Sequence, residues 1–204
     1  MDFTKYFLGS KATINSRTWG KLTFEAASFT QATDGDLIVI IGEPFNQTVP
    51  LVRIHSECIF AEVFDSDLCD CADQLQLAMK RLTEEQNGLL FYLRFDGRGA
   101  GLAAKVKATA LEIQGINTYD SRIRIGVPPE SRNFEKIGEY LTGHGIKKVR
   151  LLTNNPNKGK DLNSSGIEVI YEPLLINNPN QNVKLLYQTK AKKFNHVIPD
   201  ILQK

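Results

Sequence analysis

The sequence predicts a mixed α/β, or α+β, protein: a β-rich N-terminal part followed by alternating helices and strands around a mixed sheet. Three observations carry this. Residues 1 to about 47 mix apolar pairs with turn residues, and "DLIVIIGEPF" (Asp36 to Phe45) reads as a buried strand that ends in a Gly/Pro turn. Farther on, the continuous apolar strands "LLFYLRF" and "VRLLT" each run through a turn into helical periodicity. Hydrophobic residues make up 42% of the chain and charged ones 24%, enough apolar surface for a sizeable core.

Taken in order, "VPLVRIHSE" continues the β-rich part as a strand. "ADQLQLAMKRLTEEQNG" then puts Leu75, Ala78, Met79 and Leu82 on one helical face, with Gly88 as its stop signal. After the strand Leu89 to Phe95 comes the loop "DGRGAG", followed by a helix whose buried stripe is expected to be Leu102, Val106, Ala110 and Ile113. A third helix, "NFEKIGEYLTGHG", precedes "VRLLT". The segment "NNPNKGKDLNSSG" supplies a loop and a short helix before the strand "IEVIYE", and "QNVKLLYQTKAKKFNH" closes the order as an amphipathic helix with a solvated basic face. No repeat or long linker interrupts the chain. One domain, residues 1–204, is expected, with a β-rich part at 1–50, a core at 51–176, and a C-terminal helix and tail at 177–204.

With 25 basic and 23 acidic residues, the formal charge is +2, which excludes the strongly basic face of a general nucleic-acid binder. No apolar run approaches the ~20 residues of a membrane span. The start, with Asp2 and Lys5 around a short apolar patch, resembles neither a secretory nor a transit peptide. A cytoplasmic setting is therefore expected, with no nucleic-acid or membrane partner. Thiols stay reduced there, and clustered cysteines bind metal or react more often than they pair.

All three cysteines, Cys58, Cys69 and Cys71, fall in "VRIHSECIFAEVFDSDLCDC" in the pattern C-x10-C-x-C. This is neither a pair of zinc-finger knuckles nor a redox C-x-x-C. Three thiolates around tetrahedral zinc leave one position open for water, the arrangement of a catalytic rather than a closed site. Two blander readings stand beside it: three ordinary buried cysteines, or a structural site completed by His55. Asp65, Asp67, Asp70 and Asp73 favour metal slightly, by giving the segment a polar exposure that a core avoids.

"DGRGAGL" has the glycines and the following helix N-terminus of a phosphate-cradling loop, without Walker or Rossmann spacing. "LLTNNPNKGK" offers Thr153 and Lys158 near a helix start, with Asn154 or Asn155 as the cap and Pro156 early in the helix. In "PPESRNF", Glu130 and Arg132 are two apart, suiting either a capping turn or an acid and a guanidinium turned toward one ligand. Each loop alone favours a structural reading. Together with an open zinc site they point to an anionic substrate at the strand ends of an α/β core.

The set "RIHSEC", "CDC" followed by Gln74, "DGRGAGL", "RNF" and "RLLTNNPNK", in this order and spacing, resembles the GTP cyclohydrolase II family of riboflavin biosynthesis. The resemblance runs from Arg53 to about His196 and is only general before Val52. It implies one zinc ion per chain on Cys58, Cys69 and Cys71, and Mg²⁺ with the nucleotide triphosphate. It also implies GTP contacts from Arg53, Ile54, His55, Ser56, Glu57, Gln74, Asp96, Gly97, Arg98, Thr118, Thr153 and Lys158. In the family an arginine attacks the α-phosphate and releases pyrophosphate, with a carboxylate as proton acceptor; the matching positions are Arg132 and Glu130. A zinc-activated water then opens the guanine imidazole to a formamide, and a second hydrolysis releases formate. A guanidinium is a poor nucleophile, so an electrostatic clamp by Arg132 competes with the first step. A homodimer is implied by the resemblance alone.

Departures from the family pattern mark a divergent member. Asp96 replaces the usual glutamate, Glu130 the usual aspartate and Thr109 the usual tyrosine, while Arg122 and Arg124 stand where neutral residues are common. Loss of the phenol would remove a proton partner and halt the reaction at the formamide. The alternative is an altered paralogue that binds a purine nucleotide in a regulatory role, or acts on another purine nucleotide.

Overall fold

The computed structural model describes residues 6–30 and 35–199; Asp2 and Lys5 lie outside them. By its internal contacts the chain divides into two compact units. The first comprises the stretch up to His55, Leu75–Arg94 and Asn133–Leu174; the second comprises Ser56–Gln74, Phe95–Arg132 and the stretch from Leu175 on. The interleaving of the units was not read from the sequence.

The first unit is built on a seven-stranded sheet. Its strands are β1 (Phe7–Ser16), β2 (Gly20–Ala27), β3 (Asp36–Ile41), β4 (Leu51–Ser56), β5 (Gly88–Leu93), β6 (Lys148–Leu152) and β7 (Glu168–Glu172). They lie in the order β1-β2-β3-β5-β4-β6-β7. From β1 through β5 the pairing is antiparallel, whereas β4, β6 and β7 pair in parallel, so the sheet is mixed as expected.

Residues of β3 and β5 are apolar at successive positions because both faces of the sheet are covered. Val39, Ile41 and Leu90 meet Ala78, Met79 and Leu82 of α2 (Cys71–Glu84) on one face. On the other, Phe91 meets Phe29 and Tyr140 edge-on at 5.7 and 5.8 Å; Tyr140 belongs to α5 (Glu135–Gly143), and its hydroxyl donates to Glu25. β6, α6 (Pro156–Ser164) and β7 form a parallel crossover. Of the two candidate caps, Asn155 caps α6 by accepting from Asn157 N–H, with Pro156 in the first turn. Asn154 instead exchanges hydrogen bonds with the Leu174 backbone.

The second unit holds α1 (Ile59–Glu62), the first turn of α2, α3 (Gly101–Glu112), α4 (Asp120–Arg124) and α7 (Gln181–Phe194). Gly88 is not a helix stop: α2 ends at Glu84, Gln86 takes the left-handed turn at φ 51°, and Gly88 opens β5. The apolar stripe assigned to α3 is a larger correction. Leu102 (48% exposed), Val106 and Ile113 face outward, while Lys105 and Ala108 form the buried side. A charged residue occupies the inner face because a carboxylate and a sulfur meet it there. The turn of α4 also went unread, since its signal is an Asn117 side chain accepting from the Tyr119 and Asp120 N–H groups rather than any apolar period.

Candidate functional site

In the second unit the three cysteines converge. Cys58 precedes α1 and is buried; Cys71 begins α2; Cys69 lies two residues before it. Their Sγ atoms all lie within 4.8 Å of one another, and Cys58 and Cys69 are 3.5 Å apart. A tetrahedral ion with bonds of ~2.3 Å wants sulfurs roughly 3.8 Å apart, so small adjustments would bring these onto a common ion. Hydrogen bonds from Cys69 and Cys71 hold the Cys58 thiol far below its ordinary pKa. Sharing with Cys58 pushes Cys69 up to about 11 and raises Cys71 as well. A cation at the centre would favour the ionised form of all three. This donor set fits zinc. His55 is not part of that group; its Nδ1 faces Arg53 Nη2 at 3.3 Å in the first unit.

The acids beside the cysteines are not uniformly exposed. Asp70, only 1% exposed, accepts hydrogen bonds from Gln74 Nε2 (2.6 Å), Tyr187 Oη (2.5 Å) and Lys190 Nζ (3.3 Å). Burial pushes its pKa up, yet the Lys190 charge and these donors bring it below the ordinary value. Part of the basic face of α7 is thus committed inward, where a solvated face was expected. Gln74, expected at the nucleotide, is held by Asp70.

Asp96 begins the turn Asp96–Gly99, in which Gly97 and Arg98 adopt left-handed conformations at φ 61° and 60°. Its carboxylate is buried and accepts from Lys105 Nζ (2.6 Å), Gly97 N–H (2.6 Å) and Ile59 N–H (3.3 Å). Lys105 Nζ also lies 3.1 Å from Cys58 Sγ and 4.7 Å from the centre of the Phe60 ring. Sequence reasoning missed Lys105. The available signal was a lysine one helical turn before Ala108, both on a face that the chosen stripe left unexplained.

Glu130 and Arg132 face each other in a bidentate pair: Nε donates to Oε1 at 2.7 Å and Nη2 to Oε2 at 2.5 Å. Arg132 Nη1 reaches Ser56 Oγ at 3.2 Å, and Arg98 Nη1 lies 3.4 Å from Glu130 Oε2. Burial lowers the Arg132 pKa, but the bonds and charge of Glu130 carry it above the ordinary guanidinium value. Glu130 is held below its own ordinary value, because these partners outweigh its burial. Burial, then the charge of Arg132, bring Arg98 down to about 10 against the pull of Glu130. The Arg98 guanidinium also lies 4.3 Å from the centre of the Phe194 ring.

Thr118 is buried just before α4, its carbonyl accepting from Ser121 Oγ, and Glu57 is half-buried beside Cys58. Arg122 is not loose positive charge: it is 5% exposed, and Nη1 donates to Glu112 Oε1 at 3.0 Å. The first unit holds the remaining expected contacts. Arg53 Nη1 donates to the Leu152 carbonyl at 3.0 Å, and Lys158 Nζ donates to the Ile54 carbonyl at 2.8 Å. Thr153 Oγ1 accepts from Asn155 N–H at 3.0 Å. All three side chains are buried: Arg53 at the third position of β4, Thr153 directly after β6, and Lys158 in the first turn of α6.

The family described as GTP cyclohydrolase II matches residues 9–172. The riboflavin biosynthesis protein RibBA of Bacillus velezensis is 38% identical over 179 residues, covering 86% of this chain and 45% of its own. The GTP cyclohydrolase-2 of Vibrio parahaemolyticus is 42% identical over 140 residues, 68% of this chain and 70% of its own. That of Buchnera aphidicola is 35% identical over 184 residues, 89% and 94% respectively. The chain thus spans less than half of the RibBA relative and most of the other two. The family match also takes in β1 to β3, where the motifs alone gave only a general likeness.

Proposed function

The chain belongs to the GTP cyclohydrolase II family, and on that premise we propose that it is a hydrolase that opens the guanine imidazole of GTP, releasing pyrophosphate and formate to leave a diaminopyrimidinone ribosyl phosphate. The observation that carries this is the convergence of Cys58, Cys69 and Cys71 in a chain of this family. Zinc on these thiolates would supply a water acidified to a pKa of roughly 7. The remaining work falls to the chain's own groups.

Arg132, fixed between Glu130 and Ser56, is a protonated cation for the triphosphate. Its raised pKa favours the electrostatic clamp over nucleophilic attack, since an attacking nitrogen must first lose a proton. Glu130 keeps that guanidinium in one orientation and stays ionised as its counter-charge; it would take up a proton only if Arg132 were the nucleophile. In the second unit Arg98 adds positive charge for the phosphates with Mg²⁺, while Asp96 and Gln74 are the polar groups for the guanine edge; in the first, Arg53 and Lys158 are the basic residues that the family resemblance assigns to the nucleotide. Thr109, half-buried on α3, bears on the second hydrolysis, in which formate leaves. The apolar residues that α3 leaves exposed favour the homodimer; no helix among the described residues is long and apolar enough to cross a membrane, and a cytoplasmic site of action fits this reading.

The test is zinc-loaded protein with GTP and Mg²⁺, products identified by mass spectrometry and formate and pyrophosphate assayed separately. Both products support the proposal, and Cys58→Ser abolishes ring opening. A ring-opened product that keeps its formyl group, corrected by Thr109→Tyr, places the halt at the second hydrolysis. GTP that raises thermal stability without any product overturns the enzyme in favour of the regulatory paralogue.

A further inference from the structure

We propose that Lys105 is a positioning residue for the metal centre: its ammonium ties the Cys58 sulfur to the Asp96 carboxylate, governing both how tightly the metal is held and how Asp96 is presented to the nucleotide. The inference rests on the zinc reading of the three cysteines and assigns a role to a residue outside the expected ligand and nucleotide contacts.

Lys105 is 7% exposed, and a lysine is rarely taken out of water without strong partners. Its partners are the Asp96 Oδ1 at 2.6 Å, the Cys58 Sγ at 3.1 Å and the face of Phe60. The backbone is shaped around it. Gly97 adopts φ 61°, and a Cβ there would stand 3.3 Å from the Lys105 Cβ, tighter than an ordinary contact. The same turn sends the Gly97 N–H into the Asp96 carboxylate, so carboxylate, turn and ammonium are fixed together. On α3, Lys105 and Ala108 are buried while the apolar stripe is left outside, so the helix is oriented by this charge rather than by its hydrophobic residues.

Charge balance gives the arrangement a purpose. Three thiolates outweigh a divalent cation by one negative charge, and Asp96 adds a second nearby. One ammonium donating to both offsets this excess and orients a ligand sulfur, as partners beyond the ligands do in metal sites generally. Without it, Asp96 and the Cys58 thiolate would repel each other, and Asp96 would swing from the Gly97 turn.

Lys105→Met keeps the length and apolar stem of the side chain and removes the charge; Lys105→Arg restores the charge. Zinc retained by the full chain is measured against graded chelator, and KM and kcat for GTP are measured at saturating zinc. The expected result is a roughly 10- to 100-fold loss of zinc affinity in Lys105→Met with a raised KM, and substantial recovery in Lys105→Arg. Lys105→Met holding zinc as tightly as the parent overturns the proposal. Should Lys105→Met fail to fold, Lys105→Gln, which keeps a polar donor without the charge, replaces it, and unchanged zinc affinity there overturns the proposal equally. A parent chain that binds no zinc removes the zinc reading itself, and this inference with it.

Discussion

Glu130 and Arg132 show how much one charged pair determines. Two parallel hydrogen bonds fix the guanidinium plane, a geometry a lysine cannot reproduce. Arg132→Lys should therefore lower kcat by ~100-fold or more while leaving the fold intact, by analogy with the loss of a preorganised donor to a transition state; a nucleotide adduct on Arg132, seen by mass spectrometry in rapidly quenched reactions, would instead establish the nucleophile. The pair also shapes acid stability. Because folding depresses the Glu130 pKa, its contribution is fully present above the ordinary glutamate value of about 4.3 and is lost as pH falls through the lower folded value. Thermal melts of Glu130→Gln should accordingly fall less steeply with acid than those of the parent chain. Motif spacing placed this pair together in the sequence; the opposed pKa shifts became visible only once burial and the Arg98 contact were known.

Among the elements, α7 follows the matched family region and yet reaches the loop between two cysteines. Tyr187 and Lys190 donate to Asp70, which no periodicity could announce, because a residue between Cys69 and Cys71 reads as part of a polar, exposed loop. Tyr187→Phe removes one donor to a buried carboxylate and should cost about 1–3 kcal/mol, measured as a lowered denaturant midpoint at unchanged slope. β3, β5, α5, α6 and the body of α2 were legible in the sequence, since each combines a clear apolar pattern with local turn chemistry, while the cap of α6 was narrowed only to Asn154 or Asn155. α3 was legible as a helix but not in its facing. Hydrophobic periodicity identifies an apolar stripe, whereas the partners of Lys105 decide which side turns inward. If α3 forms the proposed dimer contact, placing a carboxylate at Val106 and Ile113, both exposed, as Val106→Asp and Ile113→Asp, should shift light scattering from dimer to monomer.

Over the whole molecule, the sheet and the cysteine cluster belong to different compact units, so metal removal should act unevenly. Hydrogen exchange of the chelated chain should lose protection around Cys58–Cys71 and α3 while β2, β3 and β5 remain protected. Uniform loss would mean that the metal stabilises the entire chain as one cooperative body. The interleaving of the units could not be read from composition, because no linker marks the crossings at His55, Gln74, Arg94, Arg132 and Leu174. Strand order has a further consequence for how the chain is assembled. β5 lies between β3 and β4, although both precede it in sequence. As the polypeptide leaves the ribosome, two apolar strands thus wait with open edges for a third that is not synthesised until residue 93, and β4 must also await β6. Synthesis that pauses before β5 would leave sticky edges available to other chains, so the tempo of translation across α2 should influence the yield of folded protein.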